Sequence, residues 1–328
     1  MNLKKNNSTG ITGIGSALVD LLINESDEFL KSVGKEKGGM TLHENSEIEA
    51  VLKKSSQKPV VVAGGAACNT IVGVGMLGGK ARFIGKRGED DYGELYENQI
   101  KKCNVEPLFD FSKTPTGKVL SVITPDAQRS MFTYLGASTE LEPGKVTRDR
   151  FEDTAIAVIE GYLLFNPDLM MASLKSAKEA NALIALDLAS FEVVEASKEI
   201  LGNIVKEYVD ILIANEDEAR AYTGFTDEAK AIRALSENVD IAVLKVGKKG
   251  SYVANNGNII RIEPKTGVDA VDTTGAGDLW AAGFLFGIAH DYSLEKSGEI
   301  ASACGYEVCQ VVGAHIPEKE WAKIKQLL

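Results

Sequence analysis

The sequence contains few of the residues that build metal centres and covalent frameworks. Its 328 residues include four cysteines and three histidines; no two cysteines form a C-x-x-C pair, and the histidines lie far apart. This composition argues against a zinc site, and it favours a reducing, cytoplasmic location over a disulfide framework. The opening MNLKKNNSTG is basic but lacks the apolar run of a signal peptide, which predicts the same location.

Excess positive charge and uninterrupted apolar segments are also missing. The net charge is −11, which argues against broad nucleic-acid binding because that function needs a basic face. One uncharged stretch, residues 59–79, is about as long as a membrane span, but Pro59, Asn69 and six glycines interrupt it. We interpret it as a buried strand at 59–63, a tight turn and a helix packed closely on a sheet, so no membrane association is expected.

The rest of the chain alternates short β-branched runs with amphipathic helices, one of them opened by capping-box spacing at Ser46–Glu49. Such alternation predicts an α/β fold with a central, mainly parallel sheet flanked by helices on both faces. At 328 residues, the chain can form one large α/β domain or two smaller ones. Its main strands are expected at 11–15, 60–63, 81–86, 155–161, 182–187, 210–215 and 241–247.

Two regions break that alternation. Residues 17–24 and 38–42 are expected to be extended segments near the N-terminus. Residues 117–124 and 129–135 predict a hairpin around Pro125-Asp126. Because no helix is expected to cover these regions, they predict a small β-sheet lid over an active site, inserted in the catalytic domain. The lid is expected to come from about 17–44 and 112–138.

Two glycine-rich stretches are candidates for phosphate binding. Gly73–Gly78 matches G-x-G-x-x-G but falls within a helix, so we interpret it as helix packing. Gly275-Ala276-Gly277 precedes an apolar helix at about 278–289, and its backbone N–H groups predict an anion hole. The helix field is expected to keep Asp278 ionised, which suits phosphoryl transfer to an alcohol. The alternative is that Asp272 and Asp278 are ordinary helix caps.

Two longer segments resemble a known enzyme family. DTTGAGDLWAAGF is similar to the C-terminal signature of the ribokinase, or phosphofructokinase-B, family of carbohydrate and nucleoside kinases, and residues 64–93 resemble its N-terminal signature. The resemblance covers nearly the whole chain and implies that residues 1–328 form a single ribokinase-like catalytic domain, which uses ATP and Mg²⁺. It implies that Asp278 is the catalytic base and that Gly275, Ala276 and Gly277 form the anion hole. The positions that match substrate-binding residues are Asp20, Gly64, Gly65 and Asn69.

The resemblance also extends to the nucleotide side of the site. Oxygen ligands and retained waters suit Mg²⁺, and ANEDEA resembles the family's N-x-x-E motif. Lys245 departs from the small hydroxyl residue common at its position. The implied residues are Asn215, Lys245, Gly247 and Ser302 for the nucleotide, Glu218 for Mg²⁺ through water, and Asp272 for a monovalent cation such as the K⁺ that some members hold.

Residues 34–42, 124–138 and 160–164 resemble the corresponding segments of adenosine-kinase-type members of the family. This resemblance favours adenosine as the small-molecule acceptor of the phosphoryl group. Ser16, however, stands where nucleoside kinases commonly have an Asn that contacts the purine. A kinase of ribose, fructose or a keto-deoxy sugar stays open, as does a catalytically silent nucleoside-binding protein. Arg129 either orients a lid strand or meets an acidic sugar, and the chain is a monomer or a homodimer through the lid. The apolar walls for adenine are expected at Met40, Leu42, Tyr134, Leu135 and Tyr162.

Overall fold

A computed structural model describes residues 6–34, 37–126, 128–267 and 269–328. Their strands form two sheets, one of nine strands and one of five. The strands are β1 (Gly10–Ile14), β2 (Leu18–Asn24), β3 (Met40–Leu42), β4 (Val60–Gly64), β5 (Ala81–Gly88), β6 (Val105–Ser112), β7 (Gly117–Ile123), β8 (Arg129–Tyr134), β9 (Thr154–Glu160), β10 (Leu183–Asp187), β11 (Ile211–Asn215), β12 (Ile241–Lys245), β13 (Ser251–Asn255) and β14 (Asn258–Ile262).

The large sheet has the order β14-β13-β12-β11-β10-β9-β1-β5-β6. Its strands pair in parallel from β12 through to β6, and β13 and β14 add an antiparallel edge. This arrangement confirms the predicted α/β class. The sequence reading had no strand at β6, β13 or β14, which lie towards the two edges of the sheet.

Helices cover both faces of the large sheet because its central strands are apolar on both sides. Alternate residues of β12 enter different cores: Ile241 and Val243 pack in one, Ala242 and Leu244 in the other. The helices are α1 (Asp27–Ser32), α2 (Asn45–Lys54), α3 (Ala66–Leu77), α4 (Asp91–Lys102), α5 (Pro167–Glu179), α6 (Phe191–Ala196), α7 (Lys198–Tyr208), α8 (Glu216–Thr223), α9 (Glu228–Leu235), α10 (Ala276–Ala289), α11 (Leu294–Val308) and α12 (Glu318–Ile324).

Helix α3 explains the glycines of the G-x-G-x-x-G match. A Cβ at Gly73 would lie 2.5 Å from the Cβ of Ala282, so the glycine allows α3 to approach α10 closely. The helix ends at Leu77 with Gly78 as its left-handed cap. The match therefore reflects helix packing, as predicted. No helix among the described residues is both long and apolar enough to cross a bilayer.

The small sheet has the order β3-β8-β7-β2-β4 and contains the predicted hairpin, with β7 antiparallel to β8. Its fifth strand corrects the sequence reading. We expected 60–63 to be a buried strand of the large sheet, but Val60–Gly64 pairs with β2 of the small sheet, and Val60 is 60% exposed. The segment also lies outside the two ranges expected to supply the lid.

Two further local expectations were wrong. Helix α2 begins at Asn45, with Glu44 as its N-cap and the Glu47 carboxylate accepting the Glu44 N–H at 2.9 Å, so the capping box does not start at Ser46. No helix was expected to cover the hairpin strands, but α2 covers one face of the small sheet, where Glu49 accepts from the Lys118 Nζ at 2.7 Å. The small sheet therefore has a helical cover on one face and leaves the other for the site.

Candidate functional site

The candidate site lies where the carboxyl ends of the central parallel strands meet the N-terminus of α10. In sheets of this kind, ligands bind beyond the carboxyl ends of the strands. Glu160, Asp187, Asn215 and Lys245 are the last residues of β9, β10, β11 and β12, so the fold delivers four polar side chains to one edge.

The turn before α10 has the geometry expected of an anion hole. Gly275 caps the helix at φ 72°, and a Cβ there would lie 2.5 Å from the Cβ of Ala314, so both its conformation and its packing require glycine. The Ala276 N–H donates to the Thr273 carbonyl at 3.2 Å. The N–H groups of Gly277 and Asp278 belong to the first helical turn, which supplies no intrahelical acceptor. They are therefore the donors best placed for an anion.

Asp278 lies in the first turn of α10 and is joined to α3. The Asn69 Nδ2 donates to its Oδ2 at 2.9 Å, and the Thr70 hydroxyl donates to its backbone carbonyl at 3.1 Å. Burial, reinforced by the negative charges of Asp187 and Asp20, raises the pKa of Asp278 to about 7. The expectation that the helix field keeps this carboxylate fully ionised was therefore wrong, because desolvation outweighs that field.

Asp20 lies on β2 of the small sheet, above the first glycine of the Gly64-Gly65 pair. A Cβ at Gly64 would lie 2.4 Å from the Asp20 Oδ2, so only glycine leaves room for this carboxylate. Burial raises the pKa of Asp20 to about 6, against the opposing charge of Arg129. The negative charge of Asp20 also raises the pKa of Asp278, which indicates that the two carboxyls share one cleft.

Glu160 is a buried carboxyl that was not predicted from the sequence to be a site residue. Its Oε2 accepts the Ala67 N–H at 3.2 Å, and it also interacts with the backbone and hydroxyl of Ser16. Burial raises its pKa to about 7, although these hydrogen bonds favour the ionised form. Gly65, at φ 96°, passes close to the Ser16 carbonyl. Ser16 and Gly65 are thus held together at the floor of the cleft.

Lys245 lies beneath the turn before α10. Its Nζ donates to the Asp187 Oδ2 at 3.0 Å, and it would lie 3.0 Å from a Cβ placed on Gly277. Burial lowers the pKa of Lys245, but the charges of Asp187 and Glu218 outweigh that effect and raise it. Asp187 was missed in the sequence, although it ends a buried strand just as Asn215 does.

Asn215 and Glu218 form a capping box at the start of α8. The Asn215 backbone and side-chain N–H groups donate to the two Glu218 carboxylate oxygens at 2.8 and 2.7 Å. The Glu218 backbone N–H donates to the Asn215 Oδ1 at 2.9 Å. The pair therefore has a structural role. Glu218 is nonetheless buried, and burial with the charge of Asp187 raises its pKa to about 7, which is not the environment of an ordinary surface cap.

The carboxylates of Asp187 and Glu218 both act on Lys245, whose Nζ lies next to Gly277, so they lie near the turn before α10. The described residues contain no group of three or more His, Cys, Asp or Glu side chains arranged to hold a metal ion. One or two carboxylates with nucleotide phosphates and waters are a donor set that suits Mg²⁺. The residues present therefore fit a divalent ion that arrives with a nucleotide.

The strand register decides which small-sheet residues face the cleft. Asp20 lies opposite Val119, and Val119 lies opposite Thr133, so these residues share one face. Tyr134 pairs with Lys118 on the opposite face, under α2, and therefore does not line the cleft as expected. The Thr133 hydroxyl is buried without a hydrogen-bond partner among the described residues.

Further apolar side chains border this face. Met40 pairs with Met131, in the row beside Asp20, and is 48% exposed. Leu42 is 65% exposed. Tyr162 lies two residues after the end of β9, is 36% exposed, and interacts with Glu160 and Ser190 at the edge of the large sheet. These side chains have the solvent-exposed apolar surface expected of a ligand wall, whereas Leu135 lies beyond the end of β8.

Asp272 and Arg129 join the small sheet to the turn before α10. The Arg129 Nη1 donates to the Asp272 Oδ2 at 3.3 Å, and its Nη2 donates to the Ser121 hydroxyl at 3.0 Å. Burial opposes ionisation of Asp272, but hydrogen bonds from Gly313 and Thr274 and the Arg129 charge hold its pKa below the ordinary value. Asp272 is thus not a helix cap, since α10 begins four residues later at Ala276.

Gly247 and Ser302 lie at the outer part of the site. Gly247 has φ 53° and is exposed, with no atom within 4 Å of where a Cβ would lie. The Ser302 hydroxyl donates to the Glu263 carbonyl at 3.0 Å and accepts the Lys265 N–H at 3.1 Å. Ser302 therefore fastens the segment after β14 to α11, which accounts for the hydroxyl without a ligand.

A parallel α/β sheet whose carboxyl edge combines an open helix N-terminus with a neighbouring buried carboxylate suits a phosphotransferase. A family model described as pfkB family carbohydrate kinase matches residues 27–321. The chain belongs to this family. It is an ATP-dependent kinase that phosphorylates a hydroxyl group, and kinases of the family use ATP with a divalent metal.

Individual relatives differ in acceptor. The 5-dehydro-2-deoxygluconokinase of Clostridium perfringens is 30% identical over 258 residues, which cover 73% of this chain and 76% of that protein. Adenosine kinase of Saccharomyces cerevisiae is 27% identical over 94% of this chain and 96% of its own length. The crystal structure of adenosine kinase from Sinorhizobium meliloti matches with a TM-score of 0.88 and 30% identity, over 98% of this chain and 100% of that one.

Proposed function

We propose that this kinase transfers the γ-phosphoryl group of ATP to a primary hydroxyl of a nucleoside, with adenosine as the favoured acceptor. Asp278 accepts the hydroxyl proton, and the resulting oxygen attacks the γ-phosphorus. The bond between that phosphorus and the β–γ bridging oxygen breaks, and ADP leaves with the electron pair. A base with a pKa of about 7 is matched to this task near neutral pH.

The remaining residues divide between the two substrates. The N–H groups of the Gly275–Gly277 turn and of Asp278 itself stabilise charge on the moving phosphoryl group, with the Lys245 ammonium beneath them. Glu218 and Asp187 would hold Mg²⁺, which supplies charge neutralisation at the phosphates when bound. Asn215, Gly247 and Ser302 border the nucleotide.

On the acceptor side, Asp20 and the backbone at Gly64 and Gly65 would bind the sugar hydroxyls. Asn69 already holds the Asp278 carboxylate, so its amide would orient the base as well as contact the sugar. Ser16 lies at the floor of the cleft. The small sheet would act as a lid within a single catalytic domain.

The observation that favours a nucleoside is the character of the lid face. Val119, Met131 and Met40 present apolar surface there, and the Thr133 hydroxyl has a free hydrogen-bonding capacity that a heterocyclic base would use. Arg129 is already engaged by Asp272, so its charge is not available to an acidic sugar. Tyr162 would form a further wall beside the base.

A sugar acceptor is the second candidate. Ser16 in place of the common Asn, and the 30% identity to a 5-dehydro-2-deoxygluconokinase, both favour it. In that case Arg129 would have to leave Asp272 to meet a negatively charged acceptor.

We also predict a cytoplasmic location, in keeping with the four free thiols. A monomer is favoured over a lid-mediated homodimer because α2 already covers one face of the small sheet.

The test is ADP release with a panel of acceptors, paired with a thermal-shift screen. The panel comprises adenosine, inosine, ribose, fructose and 5-dehydro-2-deoxygluconate, each with Mg-ATP. A ligand that binds the folded state raises the melting temperature with occupancy. We expect adenosine to give the largest kcat/KM, by about tenfold or more, which corresponds to roughly 1.4 kcal/mol of transition-state binding. A sugar that exceeds adenosine would overturn the nucleoside assignment, and no ADP from any acceptor would overturn the proposal.

A further inference from the structure

The Asp272 carboxylate has no free acceptor position. Its Oδ1 accepts the Thr274 N–H at 2.9 Å and the Thr274 hydroxyl at 2.7 Å. Its Oδ2 accepts the Gly313 N–H at 2.8 Å and the Arg129 Nη1 at 3.3 Å. A carboxylate offers about four lone-pair sites, so these four donors fill it. The site therefore does not fit the monovalent cation expected at Asp272, because a cation would have to displace the guanidinium.

The guanidinium at this position is buried and firmly held. The Arg129 and Asp272 side chains are only 14% and 12% exposed. The second terminal nitrogen of Arg129 is held by Ser121 on the neighbouring strand, and its Nε is buried without a partner among the described residues. A desolvated donor left unpaired is costly. The cost of this unpaired Nε is offset by the other interactions of the guanidinium, and the charged one among them is the pair with Asp272.

The pair connects the two halves of the site. Arg129 belongs to the small sheet that carries Asp20, whereas Asp272 precedes the turn at Gly275. Asp272 also binds the N–H of Gly313, and Ala314 packs directly against Gly275. The position of the guanidinium is therefore transmitted through two short contacts to the turn that forms the anion hole.

We propose that Arg129 is a positioning residue that supplies, from the lid, the positive charge at Asp272 that a monovalent cation would otherwise supply, so that this kinase needs no such cation. The inference rests on the proposed function, since it concerns the same anion hole. Under this proposal, the position of the lid and the geometry of the anion hole depend on each other. Loss of the arginine is therefore expected to create a requirement for a monovalent cation.

The experiment compares wild-type protein and Arg129→Ala in KCl and in choline chloride at equal ionic strength. Wild-type kcat/KM should agree within about twofold in the two salts. Arg129→Ala should lose roughly 10- to 100-fold in choline, the range typical of coupling between sites. Several-fold recovery in KCl or with millimolar guanidinium is expected, and Arg129→Lys should stay insensitive to the salt.

Arg150→Ala is the matched control, because Arg150 forms a comparable, slightly more exposed pair with Asp110 at 3.0 Å on another part of the fold. It should show no difference between the salts. Asp272→Asn should lose activity that neither cation restores, since it removes the carboxylate itself. Wild-type activity several-fold higher in KCl, or an Arg129→Ala defect that neither K⁺ nor guanidinium changes, would overturn the inference.

A second readout does not depend on turnover. The melting temperature of the ligand-free wild-type protein should be the same in KCl and choline chloride, whereas that of Arg129→Ala should rise in KCl. If no acceptor yields ADP, the proposed function fails while this measurement still tests the cation inference. A wild-type melting temperature that rises specifically with K⁺ would count against it.

Discussion

Glu160 offers the sharpest test of the electrostatics of the cleft. It is 3% exposed, and burial raises its pKa from the ordinary 4.5 to about 7. Because the folded state holds its proton more tightly than the unfolded state does, Glu160 favours folding fully below about pH 4.5. That contribution is lost as pH rises to about 7. At about 1.4 kcal/mol per pKa unit, the loss is on the order of 3 kcal/mol.

Glu160→Gln removes the titration while keeping an oxygen that accepts the Ala67 N–H. The unfolding free energy of the variant minus that of wild type should therefore grow by about 2 to 3 kcal/mol between pH 5 and pH 8. Taking this difference cancels any constant effect of the substitution on packing. Urea unfolding followed by tryptophan fluorescence measures it at each pH.

Glu318→Gln, at the exposed start of α12, is the control, and its difference from wild type should stay within about 0.5 kcal/mol across the range. A Glu160→Gln difference that does not change with pH would refute the reasoning. It would mean that the carboxyl ionises in the folded protein as readily as in water.

Four further outcomes are expected. Asp278→Asn should still show a thermal shift with adenosine but lose roughly 10²–10⁴-fold in kcat, and retained turnover would contradict the base assignment. Wild-type kcat/KM should rise with pH and level off above about 7, because Asp278 must be ionised; a flat profile would argue against it. Gly64→Ala should raise KM for the acceptor about tenfold or more with little change for ATP, since its Cβ would lie 2.4 Å from the Asp20 carboxylate. Lys245→Met should lower the unfolding free energy by about 3 kcal/mol at pH 8 and by less at pH 5.5, where Glu218 is protonated; equal losses would contradict this.

The sequence was sufficient for the fold class and for locating the glycine-containing turn before α10. Alternation of β-branched runs and helices led to the parallel sheet, and the apolar helix after Gly275 located the turn. It was not sufficient for the assignment of β4, because an apolar five-residue strand carries no record of which sheet it joins. That choice depends on pairing with β2, which is a tertiary contact.

The direction in which side chains point was the second feature that could not be predicted from the sequence. Alternation along β8 shows that neighbouring residues face opposite ways, but only the register with β7 reveals that Thr133, not Tyr134, faces Asp20. Glu160 and Asp187 were not predicted to be site residues, although the sequence carried a signal for both. Each ends a buried strand, as Asn215 does, and that shared position was a usable signal for both.

The ionisation of Asp278 shows why a local argument from the helix dipole was not enough. A helix N-terminus favours a negative charge by about 1 kcal/mol, whereas burial beside other carboxylates costs more. The cleft gathers more acidic than basic groups: Asp20, Glu160, Asp187, Glu218 and Asp278 against Arg129 and Lys245. Arg129 is held by Asp272 and Lys245 by Asp187, so Asp278 has no cation of its own within hydrogen-bonding distance among the described residues. Its proton affinity near neutrality follows from that imbalance. The same imbalance that makes the free protein less stable at high pH gives Asp278 the proton affinity that its proposed role as the base requires.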